Sequence, residues 1–177
     1  LGLNHLATVS LNGLGDKPQA LQILAQAHRV AEQNGDRRGL AETEWNLSLA
    51  AIQAQDPKLA LRHSERALAI AQELGHPHLL ARCLTSTAQA YSFLRRWDKA
   101  LPYVLETYQM YLASGDLVLA ANSRRGIGFL QIFSGQPAAG LDTLQESLAF
   151  SRRIENLMGA ADCAWILARA HLGLGNY

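Results

Sequence analysis

Long apolar runs, clustered cysteines and an excess of one charge are all missing from these 177 residues, and each absence removes a class of protein. No stretch approaches the roughly eighteen consecutive apolar residues of a membrane-crossing helix, and no secretory leader is read at the start. Lys and Arg number 16 against 15 Asp and Glu, a formal charge of +1. Proteins that neutralise phosphates show a basic excess, so no direct nucleic-acid contact is expected. The only cysteines are Cys83 and Cys163, too few for a disulfide framework, and a reducing, cytoplasmic setting is expected. β-Branched residues never alternate for long, which removes strands. The opening LGLNHLATVS has no initiator methionine, so a fragment of a longer chain is expected.

What is present is a repeat. Apolar residues make up 49% and charged ones 18%, enough for a buried core. In rows of forty, position 21 reads Leu21, Leu61, Leu101, Leu141, and the position before it Ala20, Ala60, Ala100, Gly140. Position 35 reads Gly35, Gly75, Gly115 and then Glu155, and position 1 reads Leu1, Ala41, Ala81, Ala121, Ala161. No gap interrupts this register, which is the signature of an array of equivalent units.

Each row carries two helices. Gly15-Asp16, Gln55-Asp56, Gly135-Gln136 and Gly175-Asn176 read as turns, Asp56 as a helix cap and Pro57 as a first-turn residue. Leu61, Ser64, Leu68, Ala71 and Leu74 follow at helical spacing, and a glycine closes the helix at position 35. First helices are expected over about 1–14, 38–54, 78–94, 118–134 and 158–174, second helices over about 17–34, 57–74, 97–114 and 137–154. Pro102 falls inside one of them and is expected to kink or loosen it. Small residues at position 8 (Thr8, Ser48, Ala88, Gly128, Ala168) and position 27 (Ala27, Ala67, Thr107, Ser147) allow close helix contact.

These rows resemble the tetratricopeptide repeat in a forty-residue variant. The likeness rests on the small residues at positions 8 and 27, the Ala-Leu pair at 20–21, and phrases such as GDKPQAL, QDPKLAL, RRWDKAL and GQPAAGL. Position 11 departs from the family's aromatic, reading Leu11, Ala51, Tyr91, Gln131, His171. The resemblance implies an all-α, right-handed superhelical solenoid of antiparallel hairpins: about four and a half repeats and nine helices in one domain over 1–177. The repeats would run 1–37, 38–77, 78–117, 118–157 and an incomplete 158–177. It also implies a non-catalytic scaffold, without cofactor or metal, that binds a protein, peptide or small-molecule effector. Arrays of this look occur in large bacterial transcriptional and signalling regulators, and a constitutive adaptor is the alternative.

In the family, positions 2, 5, 9, 12 and 13 face the concave groove. Carried onto this chain they are Glu42, Trp45, Leu49, Arg82, Gln89 and Phe93, then Asn122, Arg125, Phe129, Asp162, Trp165 and Arg169. Aromatic residues and arginine are the types that anchor interfaces, although Trp45 and Trp165 could equally fill space between helices. The Lys/Asn clamp for a C-terminal carboxylate is not reproduced. Other signals point to structure. His76 and His78 flank Pro77 without further ligands. The two cysteines stand two repeats apart, beyond the ~7 Å Cα reach of a disulfide, and read as small buried residues. RRGIGFL lacks a strand and a third glycine, and the arginine pairs have acidic neighbours. An incomplete last hairpin leaves Ile166, Leu167, Ala170 and Leu174 half covered, so self-association through that end is expected.

Overall fold

The computed structural model describes residues 17–173. The helix expected over 1–14, the turns expected at Gly15-Asp16 and Gly175-Asn176, and Leu174 lie outside them. Eight helices follow one another: α1 Lys17–Gln33, α2 Arg37–Gln53, α3 Pro57–Leu74, α4 Pro77–Phe93, α5 Trp97–Ser114, α6 Leu117–Phe133, α7 Pro137–Arg153 and α8 Leu157–Gly173. The described residues contain no strand, and every helix lies within a residue of its expected bounds. No helix among them is long and apolar enough to cross a membrane. Eight helices replace the nine expected because the first falls outside the described residues.

The turns explain the register. At Gly35, Gly75, Gly115 and Gly135 the backbone takes φ between +60° and +85°, and at Gln55, Arg95 and Glu155 it takes +57° to +58°. A left-handed residue reverses the chain just past the helix end. The next amide then reaches back five residues, as in Asp36 N to Ala31 O (2.9 Å), Asp56 N to Ala51 O (2.9 Å) and Asn156 N to Ser151 O (2.9 Å). The side chain of that same residue caps the next helix. Asp36, Asp56 and Asp116 accept from Gly39, Leu59 and Leu119, and Asn156 accepts from the Gly159 amide. His76 does the same work on α4, its Nδ1 accepting from the Leu79 amide at 3.4 Å. A structural cap is therefore this histidine's place.

The chain divides into two compact units, one ending at Leu94 and one starting at Arg95. In the first, α1 packs on α2, α2 on α3, α3 on α4, and α2 also lies beside α4. Its core joins Ala20, Leu24 and Ala50 with Ile23 and Leu47, and Ala51, Ala60 and Ala90 with Ile52, Leu59 and Leu61. In the second, α5 through α8 pack in sequence, and α6 also lies beside α8. There Gly128 of α6 faces Gly140 of α7. A Cβ on Gly128 would come within 2.8 Å of Leu144 Cγ and 2.9 Å of the Gly140 carbonyl. Cys83 and Cys163 are free and fully buried, as their small-residue positions implied. Burial pushes the Cys83 thiol up to about 12, which removes thiolate chemistry near neutrality. Helix α5 runs on through Pro102, with no helical break.

Candidate functional site

Row positions 2, 5 and 9 fall on one face of each first helix, because steps of three and four residues advance a helix by about one turn. In the first unit this face belongs to α2 and α4. The Arg82 guanidinium from α4 lies 3.6 Å from the centroid of the Trp45 ring on α2. Glu42, one turn before Trp45, accepts from Arg38 Nε at 3.1 Å. Leu49 is half-buried a turn further on, while Gln89 and Phe93 stand exposed along α4.

In the second unit the face belongs to α6 and α8. Arg125 of α6 pairs with Asp162 of α8, tying the two helices together. Asn122 is half-buried one turn before Arg125. Phe129 follows one turn after it and packs against Phe133 (4.6 Å between centroids) and edge-on against Trp97 of α5 (5.9 Å). On α8, Arg169 sits 4.9 Å above the Trp165 ring, and that tryptophan is 60% exposed. Phe129, Ile132, Phe133, Trp165, Ile166, Arg169 and Ala170 line an open cavity of about 300 Å³. Within each unit, then, an arginine is backed by an indole on the first-helix face.

The tetratricopeptide repeat model matches residues 2–73 and again 39–113. The chain belongs to the tetratricopeptide repeat family. No curated protein matches it by sequence. Among solved structures it is similar to the apo form of RapI, at 15% identity and a TM-score of 0.83, over 99% of this chain and 64% of that one. It is similar to aspartyl phosphate phosphatase F from Bacillus subtilis at 12% identity and 0.80, over 92% of this chain and 42% of that one. It is also similar to tetratricopeptide-like repeats of a putative kinesin light chain from Podosopora anserina, at 15% and 0.80, over 98% and 86%. The chain thus spans less than two-thirds of the first two. At these identities the likeness is one of fold.

Tetratricopeptide spacing did not expose everything. Trp97 reads in sequence as part of a turn phrase, yet it supports the α6 aromatics, with Phe133 5.1 Å away. A second cluster lies inside the first unit. Glu44 of α2, its side chain only 5% exposed, holds His28 Nε2 of α1 at 3.2 Å and His63 Nδ1 of α3 at 2.6 Å. Arg66 approaches to 3.8 Å, and Glu32 lies 3.4 Å from the other His28 nitrogen. Burial pushes the Glu44 carboxyl up, but the hydrogen bonds and charges of His63 and then His28 outweigh it and hold the group below its ordinary value. A signal was available. Glu44 stands on the stripe of Ala41 and Ser48, where the repeat buries its residues, and a buried carboxylate requires cationic or donor partners from the flanking helices. Scattered in sequence, the two histidines converge only in the fold.

Proposed function

We propose that this chain is a non-catalytic binding region that holds a protein, peptide or small-molecule effector on its first-helix faces. In the same reading it serves as the sensor or interaction region of a larger cytoplasmic regulator. Family membership supports a binding scaffold, since repeats of this kind offer surfaces rather than a shared chemistry. The observation that carries the reading is the pairing of exposed arginines with indoles, Arg82 on Trp45 and Arg169 on Trp165. An indole left 60% exposed, as Trp165 is, adds little to the core and leaves apolar area to be removed from water by a partner. Glu42, Gln89, Asn122, Arg125, Phe129 and Asp162 supply the polar and apolar surroundings of those anchors.

The test is retention and cross-linking of partners by the wild-type chain beside Trp45→Ala and Arg125→Ala, with helicity checked by circular dichroism. Expected are cross-links on α2, α4, α6 and α8 and a loss of roughly tenfold or more in retention, the range of an anchor residue. Unchanged retention with intact helicity would move the site to the second helices or the turns.

A further inference from the structure

The cavity between α6 and α8 has a composition that selects a ligand. Six of its seven lining residues are apolar or aromatic, and the seventh is Arg169. The arginines of α6 and α8 differ in one respect. Arg124 is paired with Glu146 and Arg125 with Asp162, whereas among the described residues Arg169 meets no carboxylate and is backed only by Trp165. An indole ring is no acceptor for all five guanidinium N–H groups, so a guanidinium held over one keeps donors for a ligand. Those donors form a fork that fits the two oxygens of a carboxylate. One guanidinium on an otherwise apolar lining balances one negative charge, so a monocarboxylate fits where a phosphate dianion would leave charge unpaired. The volume of about 300 Å³ sits at the small end of the range for small-molecule sites. Phe129, Phe133 and Trp165 offer ring faces and edges to an aromatic or bulky aliphatic body.

We propose that the α6–α8 cavity binds a small apolar monocarboxylic acid, its hydrocarbon or aryl body among Phe129, Phe133 and Trp165 and its carboxylate on Arg169. The assignment rests on the binding reading above and narrows it to one ligand class in one unit. Asp162 does not oppose the incoming anion, because Arg125 already neutralises it.

The probe is 3-phenylpropionate, titrated into the full chain by calorimetry or ligand-observed NMR, with 3-phenylpropanamide as its uncharged isostere. The wild type should bind the acid about tenfold more tightly than the amide, the value of one charge-assisted bidentate contact. Arg169→Gln should erase that preference while leaving the amide's affinity unchanged, and Phe129→Ala should weaken both. Raising the salt concentration should weaken the acid alone. Equal binding of acid and amide, a preference that survives Arg169→Gln, or no binding of either would overturn the assignment. A tripeptide ending in phenylalanine with a free carboxylate that binds more tightly than the acid would transfer the site from a small molecule to a polypeptide end. If the acid does not bind while partner retention still depends on Trp45 and Arg125, the ligand class falls and the binding reading stands. If the acid binds through Arg169 while partner retention ignores those residues, the cavity assignment stands as a small-molecule site and the partner surface moves to the second helices or the turns.

Discussion

Gln55, Arg95 and Glu155 hold φ of +57° to +58°, a conformation that costs a residue with a Cβ about 1–2 kcal/mol. Gly35, Gly75, Gly115 and Gly135 take it in equivalent turns without that strain. Glu155→Gly should therefore raise stability by about 1 kcal/mol after the added chain entropy is counted, read as a higher urea midpoint at constant slope. A lower midpoint would mean that the Glu155 side chain makes up for its backbone. Glu44 is the other residue with a thermodynamic signature. Its folded pKa lies below its ordinary value, so it contributes stability that is complete above the unfolded carboxyl pKa and disappears as pH falls through the folded one. Acidification below about pH 4 should thus loosen the unit that contains α1 to α3. Glu44→Gln should flatten that acid limb and cost about 1–3 kcal/mol at neutral pH, because the histidines lose an anionic partner. Melting temperatures of both proteins across the acid range check this; parallel curves would remove Glu44 from the account.

At the scale of elements, contact distance is set by what the helices leave out. Gly128 and Gly140 let α6 and α7 approach until a single added methyl group would press on Leu144 and on the facing carbonyl. Gly128→Ala should cost about 1–3 kcal/mol, the range for overpacking, even though alanine is the better helix former by about 1 kcal/mol. Chemical denaturation gives the number. An increase in stability would show that the two helices can part by a few tenths of an ångström without loss. Ser147 belongs to the same contact, its hydroxyl donating to the Ala121 carbonyl at 3.2 Å and lying 3.4 Å from the Cys163 sulfur. Small polar residues here do the work that leucine does in a looser bundle, since a short side chain permits the approach and its hydroxyl is satisfied by the neighbouring backbone.

At the scale of the molecule, stability in a repeat array is summed over neighbours, so damage should stay local. Hydrogen exchange followed by mass spectrometry should show Glu44→Gln raising exchange mainly in α1 to α3, and Gly128→Ala mainly in α6 and α7. Uniform loss of protection from either substitution would mean that the chain opens as one cooperative block. The forty-residue register determined the helices and their bounds to within a residue, because caps, left-handed turns and small contact residues act over a few neighbouring positions; of the expected apolar stripe Ser64, Leu68 and Ala71 are buried while Leu74 is exposed. The family resemblance, carried onto row positions 2, 5 and 9, put Trp45, Arg82, Arg125, Phe129, Asp162, Trp165 and Arg169 together on first-helix faces. Which of these residues meet was a tertiary matter. The stacking of Arg82 on Trp45, the pairing of Arg125 with Asp162 and the α6–α8 cavity depend on side-chain directions across separate helices. The same holds for His28, Glu44 and His63, which lie on three different helices. Spacing along one chain specifies the face on which a residue stands, and only packing between helices decides what it touches.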